Sequence, residues 1–175
     1  MALTDCAILS GYTKDCRSSI GGIKTVYITE LANKSAITSS SGNITAFTLT
    51  SGKKFWTFDL EQATGNYAES PKPNAPNGSY YVEQTLNIKI PKFSATFSYQ
   101  VKNLAQNDLM VIVLTMNNQY ILLGENNGMK MQDSGGGSGV AMADFSGYDL
   151  NFMAMENDMA KTVASGLIAT LTSPA

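Results

Sequence analysis

The sequence predicts a mainly β domain: an antiparallel β-sandwich or barrel of seven to eight strands with one flanking α-helix at about residues 93–106. Three observations predict it. Ser, Thr and Asn supply 47 of the 175 residues, and 15 Gly and 5 Pro punctuate them. That profile suits short strands joined by many turns. Period-two alternation recurs along the chain and is clearest over Tyr80–Ile90. A helical period with apolar residues three and four apart occurs in one place, at Phe93, Phe97, Val101 and Leu104.

Residues 1–21 are polar and irregular and read as an N-terminal arm ending at Gly21 and Gly22. Ile23–Glu30 reads as a strand, with Val26 and Ile28 on one face and Ile23, Thr25 and Tyr27 on the other. Residues 31–43 are small and polar and read as a loop. Asn43–Thr50 and Phe55–Leu60 read as a hairpin around Ser51-Gly52-Lys53-Lys54. Residues 61–79 hold Pro71, Pro73 and Pro76 and read as a long loop that the prolines stiffen and project outward.

Tyr80–Ile90 places Tyr80, Val82, Leu86, Ile88 and Ile90 on one face, interrupted only by Gln84. The helix follows. Leu109–Met116 is a continuous apolar strand, the pattern of burial on both faces. Asn117-Asn118 suits a tight turn, because Asn tolerates positive φ, and Tyr120–Gly124 returns. Residues 126–139 read as a Gly-rich loop. Ser146–Met155 is a strand with Tyr148, Leu150 and Phe152 inward. Residues 22–159 thus form the sandwich or barrel domain, and residues 160–175 a C-terminal strand or arm.

Composition excludes several function classes. Hydrophobic residues at 43% and charged residues at 15% argue against disorder. A net charge of −2 gives no basic field to hold nucleic acid by its phosphates. The chain has no histidine, which removes the commonest general base and metal ligand. Cys6 and Cys16 leave a tetrahedral zinc half-ligated and read as two partly buried thiols. The start, Met1-Ala2-Leu3-Thr4-Asp5, lacks the charge and apolar run of a signal peptide. No apolar run approaches the ~20 residues that span a bilayer, so no membrane partner is expected.

Short motifs reduce to loops. Asp133-Ser134-Gly135 matches the signature of aspartic proteases, but its flanks are polar or glycine and the chemistry needs a second aspartate. Ser51 and Lys54 match Ser-x-x-Lys, but a hairpin tip splays the pair. The run Gly135–Gly139 lacks the lysine and helix of a phosphate cradle. Asp144, Asp149, Glu156 and Asp158 read as a solvated acidic face. Trp56, Tyr80, Tyr81 and Phe55 are more readily core or cross-strand residues than stacking platforms. No catalytic, cofactor-binding or metal residue is assigned, and the chain is not expected to be an enzyme. Residues 1–60 carry two more bases than acids, and residues 101–175 four more acids than bases. In a ring of identical subunits such asymmetry would favour head-to-tail contacts, where unlike patches meet.

The order of arm, strand, hairpin, Pro-rich loop, long strand, helix, apolar hairpin, Gly-rich loop and last strand resembles the tail-tube protein family of bacteriophages and contractile injection systems. The resembling pieces are Val111-Ile112-Val113-Leu114, the Asn117-Asn118 turn, Tyr120-Ile121-Leu122-Leu123-Gly124 and Gly147-Tyr148-Asp149-Leu150-Asn151-Phe152. The opening Asp15-Cys16 through Gly21-Gly22-Ile23-Lys24-Thr25-Val26-Tyr27-Ile28 is similar to structural proteins of phages infecting Bacteroidota. The resemblance implies a non-enzymatic subunit without cofactor. It implies hexameric rings whose sheets join around a lumen, stacked into a tube. The implied partners are copies of the chain, other phage tail proteins, and DNA as transient cargo. The implied location is the virion tail, after synthesis in the host bacterial cytoplasm. Pro71, Pro73, Pro76, Tyr80, Tyr81, Gly21 and Gly22 are the expected assembly residues. Two alternatives stand beside it: another ring-forming component at the head–tail junction, and a carbohydrate-binding sandwich with Trp56, Tyr80 or Tyr81 as its platform.

Overall fold

Twelve strands form two sheets, in a computed structural model that describes residues 8, 10–14 and 16–173. The strands are β1 (Ile23–Glu30), β2 (Lys34–Ser40), β3 (Asn43–Leu49), β4 (Trp56–Asp59), β5 (Gly65–Asn74), β6 (Ser79–Pro91), β7 (Leu109–Thr115), β8 (Tyr120–Leu123), β9 (Lys130–Met131), β10 (Gly135–Gly137), β11 (Gly147–Glu156) and β12 (Lys161–Val163). The helices are α1 (Ala95–Gln106) and α2 (Ile168–Thr172). One sheet runs β2-β3-β12-β8-β7-β1-β4, and the other β10-β11-β6-β5 with β9 beside β11. Every pairing is antiparallel except β12 with β3. The fold is a mainly β sandwich with a flanking helix, the class that the sequence predicts.

The larger sheet is apolar on both faces. Along β7, Leu109, Val111 and Val113 enter the main core between the sheets. Met110 and Ile112, one step out of phase, enter a second core on the far side. This alternation explains why all of β7 is buried and reads as one apolar run. The smaller sheet closes the main core with Leu86 and Ile88 of β6 and Leu150 and Phe152 of β11. Helix α1 adds Phe97, Val101 and Leu104 to the same core. Its start is capped by Ser94, whose Oγ accepts from the Phe97 N–H at 3.1 Å.

The second core requires the larger sheet to curl. Strands β3 and β4 stand five places apart, about 24 Å in a flat sheet at the usual strand spacing. Yet Phe47 of β3 and Phe55, just before β4, meet edge to face with centroids 5.6 Å apart. Helix α2 plugs the opening: Ile168 and Leu171 are buried there, and the Phe55 N–H donates to the Leu171 carbonyl at 2.8 Å.

Several expectations are corrected. The strand count is twelve rather than seven or eight: β2 and β5 lie in stretches that read as loops, and β9 and β10 are short strands within the Gly-rich stretch. Residues 31–43 hold β2, an edge strand with polar residues on both faces and hence no visible period. Strands β3 and β4 do not form a hairpin; β3 pairs with β2 and β12, and β4 with β1. Residues 61–79 are not a structureless loop, since Gly65–Asn74 is β5 and pairs along β6. The Gly-rich stretch 126–139 contributes β9 and β10. Ile23 shares a core with Val26 and Ile28 because the register shifts by a bulge between Ile23 and Thr25. The tail is a short strand followed by α2, tied into the second core. Of the cysteines, Cys16 is exposed rather than partly buried, and Cys6 lies outside the described residues.

Candidate functional site

The expected assembly residues fall in two places. Pro71, Pro73, Pro76, Tyr80 and Tyr81 gather on the far half of the β5–β6 hairpin, where every residue from 71 to 81 is exposed. Val82 is the last buried side chain before the tip. The hairpin therefore reaches about 13 Å beyond the body, four residues at the strand rise. The register sets Pro71 against Val82, Lys72 against Tyr81 and Pro73 against Tyr80. Pro76 sits in the turn Ala75–Asn77, which Gly78 closes at φ 63°. Tyr80 and Tyr81 are exposed, so the core reading for them is corrected.

The prolines give β5 a direction. A proline paired opposite Val82 or Tyr80 has no N–H to give, so the ladder bonds there come from the flanking residues, Ser70, Lys72 and Asn74. Pro71 and Pro73 then point their ring nitrogens outward. The free edge of β5 lacks donors at both positions and resists addition of another strand.

Gly21 and Gly22 lie elsewhere, at the foot of β1. Gly22 adopts φ 109° and its carbonyl accepts from Met116 N–H at 3.1 Å. Asn117 fastens the end of the arm: its Oδ1 accepts from the Ile20 N–H at 2.9 Å and its Nδ2 donates to Ser19 Oγ at 3.0 Å. A cleft of about 270 Å³ opens here beside Asn66 and Tyr67. Burial, and then the nearby Glu69, push the Tyr67 phenol above its ordinary value.

Sequence reasoning missed two features. The first is the edge of β2, seven residues from Lys34 to Ser40 paired only on the β3 side. Unlike β5 it carries no proline. The second is a row of amides across the outer face of the smaller sheet. Asn66, Asn87 and Asn151 stand side by side on β5, β6 and β11. Asn87 Nδ2 donates to Asn151 Oδ1, and to Asp149 Oδ1 at 3.0 Å. Asp149 also pairs with Lys89 at 3.3 Å. The outward position of Asn87 is legible in the alternation of β6, but the row needs the strand order.

Residues of the short motifs make specific local contacts. Ser134 Oγ accepts from the Asn151 N–H at 2.9 Å, and the Asp133 carbonyl accepts from Asn151 Nδ2 at 2.7 Å. The Asp-Ser-Gly segment thus clips the loop before β10 onto β11. Lys54 lies over the Trp56 ring, 4.4 Å from its centroid. Trp56 is 62% exposed, which corrects its core reading, whereas Phe55 is buried. The late acids do not share one solvated face. Glu156 is buried, and its Oε1 accepts from the Asn127 N–H at 2.9 Å and the Asn126 N–H at 3.1 Å. Asp144 Oδ2 accepts from the Val140 and Ala141 N–H groups at 2.9 and 2.8 Å. Those bonds hold its carboxyl below the ordinary value. Among the described residues, no three His, Cys, Asp or Glu side chains gather to hold a metal ion. No helix among them is long and apolar enough to cross a membrane. No family model, curated protein or solved structure matches the chain.

Proposed function

We propose that this chain is a structural subunit that assembles with copies of itself into rings, as a subunit of a bacteriophage tail tube. The unguarded β2 edge carries the reading. Natural sheets blunt exposed edges with proline, charge or cover. Here β5 has two outward prolines, while β2 offers seven residues with a single charge, Lys34. Lys34 is moreover turned away, its Nζ donating to the Glu125 carbonyl. An edge left open beside an edge kept closed supports pairing with a partner strand.

Two further features support a channel. The larger sheet is covered on both faces by the two cores, so the smaller sheet offers the bare face. That face bears the amide row and the opposed charges Lys89 and Asp149, and further along it Glu83, Met153 and Met155, with no uncompensated cation among these residues. Such a wall lets DNA pass without the counterion release that would hold it. The proline-stiffened hairpin extends away from the body and suits contact with an adjoining ring.

The test is the mass and shape of purified protein at high concentration. Rings that stack into tubes are the expected result, and rings that never stack favour the head–tail junction reading. A compact monomer at all concentrations, in low and high salt, overturns both. The exposed Trp56 favours the carbohydrate-binding alternative, which requires glycan binding that Trp56→Ala abolishes.

A further inference from the structure

Two of the fourteen asparagines are followed by glycine, in Asn77-Gly78 and Asn127-Gly128. An asparagine side-chain amide is open to attack by the backbone nitrogen of the next residue. Glycine sets no side chain in the way and lets the chain turn toward the attack. The structure gives these two identical dipeptides opposite surroundings.

Asn127 is clamped. Its Nδ2 donates to the Met155 carbonyl at 2.6 Å, and its own N–H to Glu156 Oε1 at 2.9 Å. Gly128 is buried, and a Cβ there would lie 3.0 Å from the Cβ of Asp108 and 3.2 Å from Leu31 Cδ2. That packing leaves little room for a tetrahedral centre, and the Glu156 carboxylate opposes the negative charge of a deprotonated amide. Asn77 stands instead at the tip of the β5–β6 hairpin, where residues 71–81 are all exposed. The Gly78 N–H donates to the Ala75 carbonyl at 3.3 Å, longer than the usual range, so water competes for it readily. A Cβ at Gly78 would meet nothing within 4 Å. Lys72 is the one charge on residues 71–81, and a cation favours the anionic nitrogen. No side chain between Val82 and the tip is buried, so packing does not hold the turn against the rotation that attack requires.

We propose that Asn77 is a site of spontaneous deamidation, and that the fold protects Asn127 from the same reaction. Hydroxide takes the Gly78 amide proton, and the freed nitrogen attacks Asn77 Cγ. The Cγ–Nδ2 bond breaks, and Nδ2 leaves as ammonia with a proton from water. The product is a cyclic succinimide. Water then opens the ring. Opening at Cγ gives aspartate; opening at the main-chain carbonyl leaves the chain running through Cγ as isoaspartate. The net change consumes one water and releases one ammonia, with no oxidant or reductant. Either product adds a negative charge to the tip, and isoaspartate adds a methylene to the backbone of a turn that Gly78 closes at φ 63°. The chemistry is independent of the ring reading; only its consequence for contact with an adjoining ring rests on that reading.

The test incubates the purified full chain at neutral and mildly alkaline pH, native and in urea. Peptide fragmentation then locates the mass gain of amide turned to acid. In urea the two sites are expected to react at similar rates. In the native protein Asn77 is expected to react about tenfold or more faster than Asn127, the weight of the two hydrogen bonds that hold Asn127. The rate at Asn77 should rise with pH, and enzymatic methyl transfer should detect isoaspartate there. Asn77→Gln, at an exposed tip, is expected to keep the fold and to remove the reaction, because its longer side chain would have to close a larger ring. An Asn77 that stays intact in the native protein while the urea-treated protein loses both amides overturns the proposal, since the turn then protects it. Equal native rates at the two sites overturn it as well, since the clamp on Asn127 then protects nothing.

Discussion

Gln84 is the one polar residue on the inward face of β6, and it is 2% exposed. Its Oε1 accepts from the Gly124 N–H at 3.0 Å, and its Nε2 donates to Glu69 Oε1 at 3.2 Å. Glu69 Oε1 in turn accepts from the Ala160 N–H. One buried amide therefore joins the smaller sheet to the turn after β8 and, through Glu69, to the approach to β12. Leucine fits the apolar pattern better but leaves the Gly124 N–H without a partner. Gln84→Leu is expected to cost about 1–3 kcal/mol, the penalty of an orphaned buried donor, read as a lower urea midpoint. A neutral or stabilising effect would show that Gly124 finds another acceptor. Asp144 gives a second residue-scale expectation. Its folded carboxyl titrates below the unfolded value, so the ionised form favours the folded loop at neutral pH. That contribution is lost as pH falls through the depressed value. Amide shifts of Val140 and Ala141 should move together, with a midpoint below 3.8, and Asp144→Asn should abolish the titration.

At the scale of elements, proline placement separates closed edges from open ones. Replacing Pro71 and Pro73 with Thr restores two outward donors on β5 while keeping the pairing to β6. The double variant is expected to gain edge-to-edge association, seen as turbidity at concentrations where the parent stays clear. An unchanged solution would show that something other than proline protects this edge. The same strand marks where sequence reading stops. Proline argues against a central strand but not against an edge strand, and only the sheet order tells the two apart. β6, β7, β11 and α1 were legible because each has a strong period or a continuous apolar run. β2, with Lys34-Ser35-Ala36-Ile37-Thr38-Ser39-Ser40, has neither. The false hairpin of β3 with β4 arose because neighbours in sequence pair more often than not. Here the sheet curls and brings Phe47 to Phe55 by another route. The exposure of residues 71–81 was legible from the prolines, whereas their pairing as the far half of the β5–β6 hairpin needs the register.

Across the whole molecule, β7 and β8 couple two cores through one sheet. Leu109, Val111 and Val113 serve one side, and Met110 and Ile112 the other. Loosening either core must therefore loosen strands that the other depends on. Leu171 provides the lever, because it lies in α2, far along the chain from the main core, and is buried in the second. Leu171→Ala removes buried methyl groups and leaves a cavity against Phe55, a loss of about 2–5 kcal/mol. If the cores are coupled, unfolding remains a single transition, shifted as a whole. Amide exchange then accelerates in β7, and in β6 and β11 across the main core, as much as in β3 and β12. Faster exchange confined to β3, β12 and α2 would mean that the second core opens alone. The larger sheet would then be two units joined edge to edge, and the β2 edge would move with the outer one. Measured on dissociated protein at low concentration, the experiment keeps fold cooperativity apart from any stabilisation by assembly.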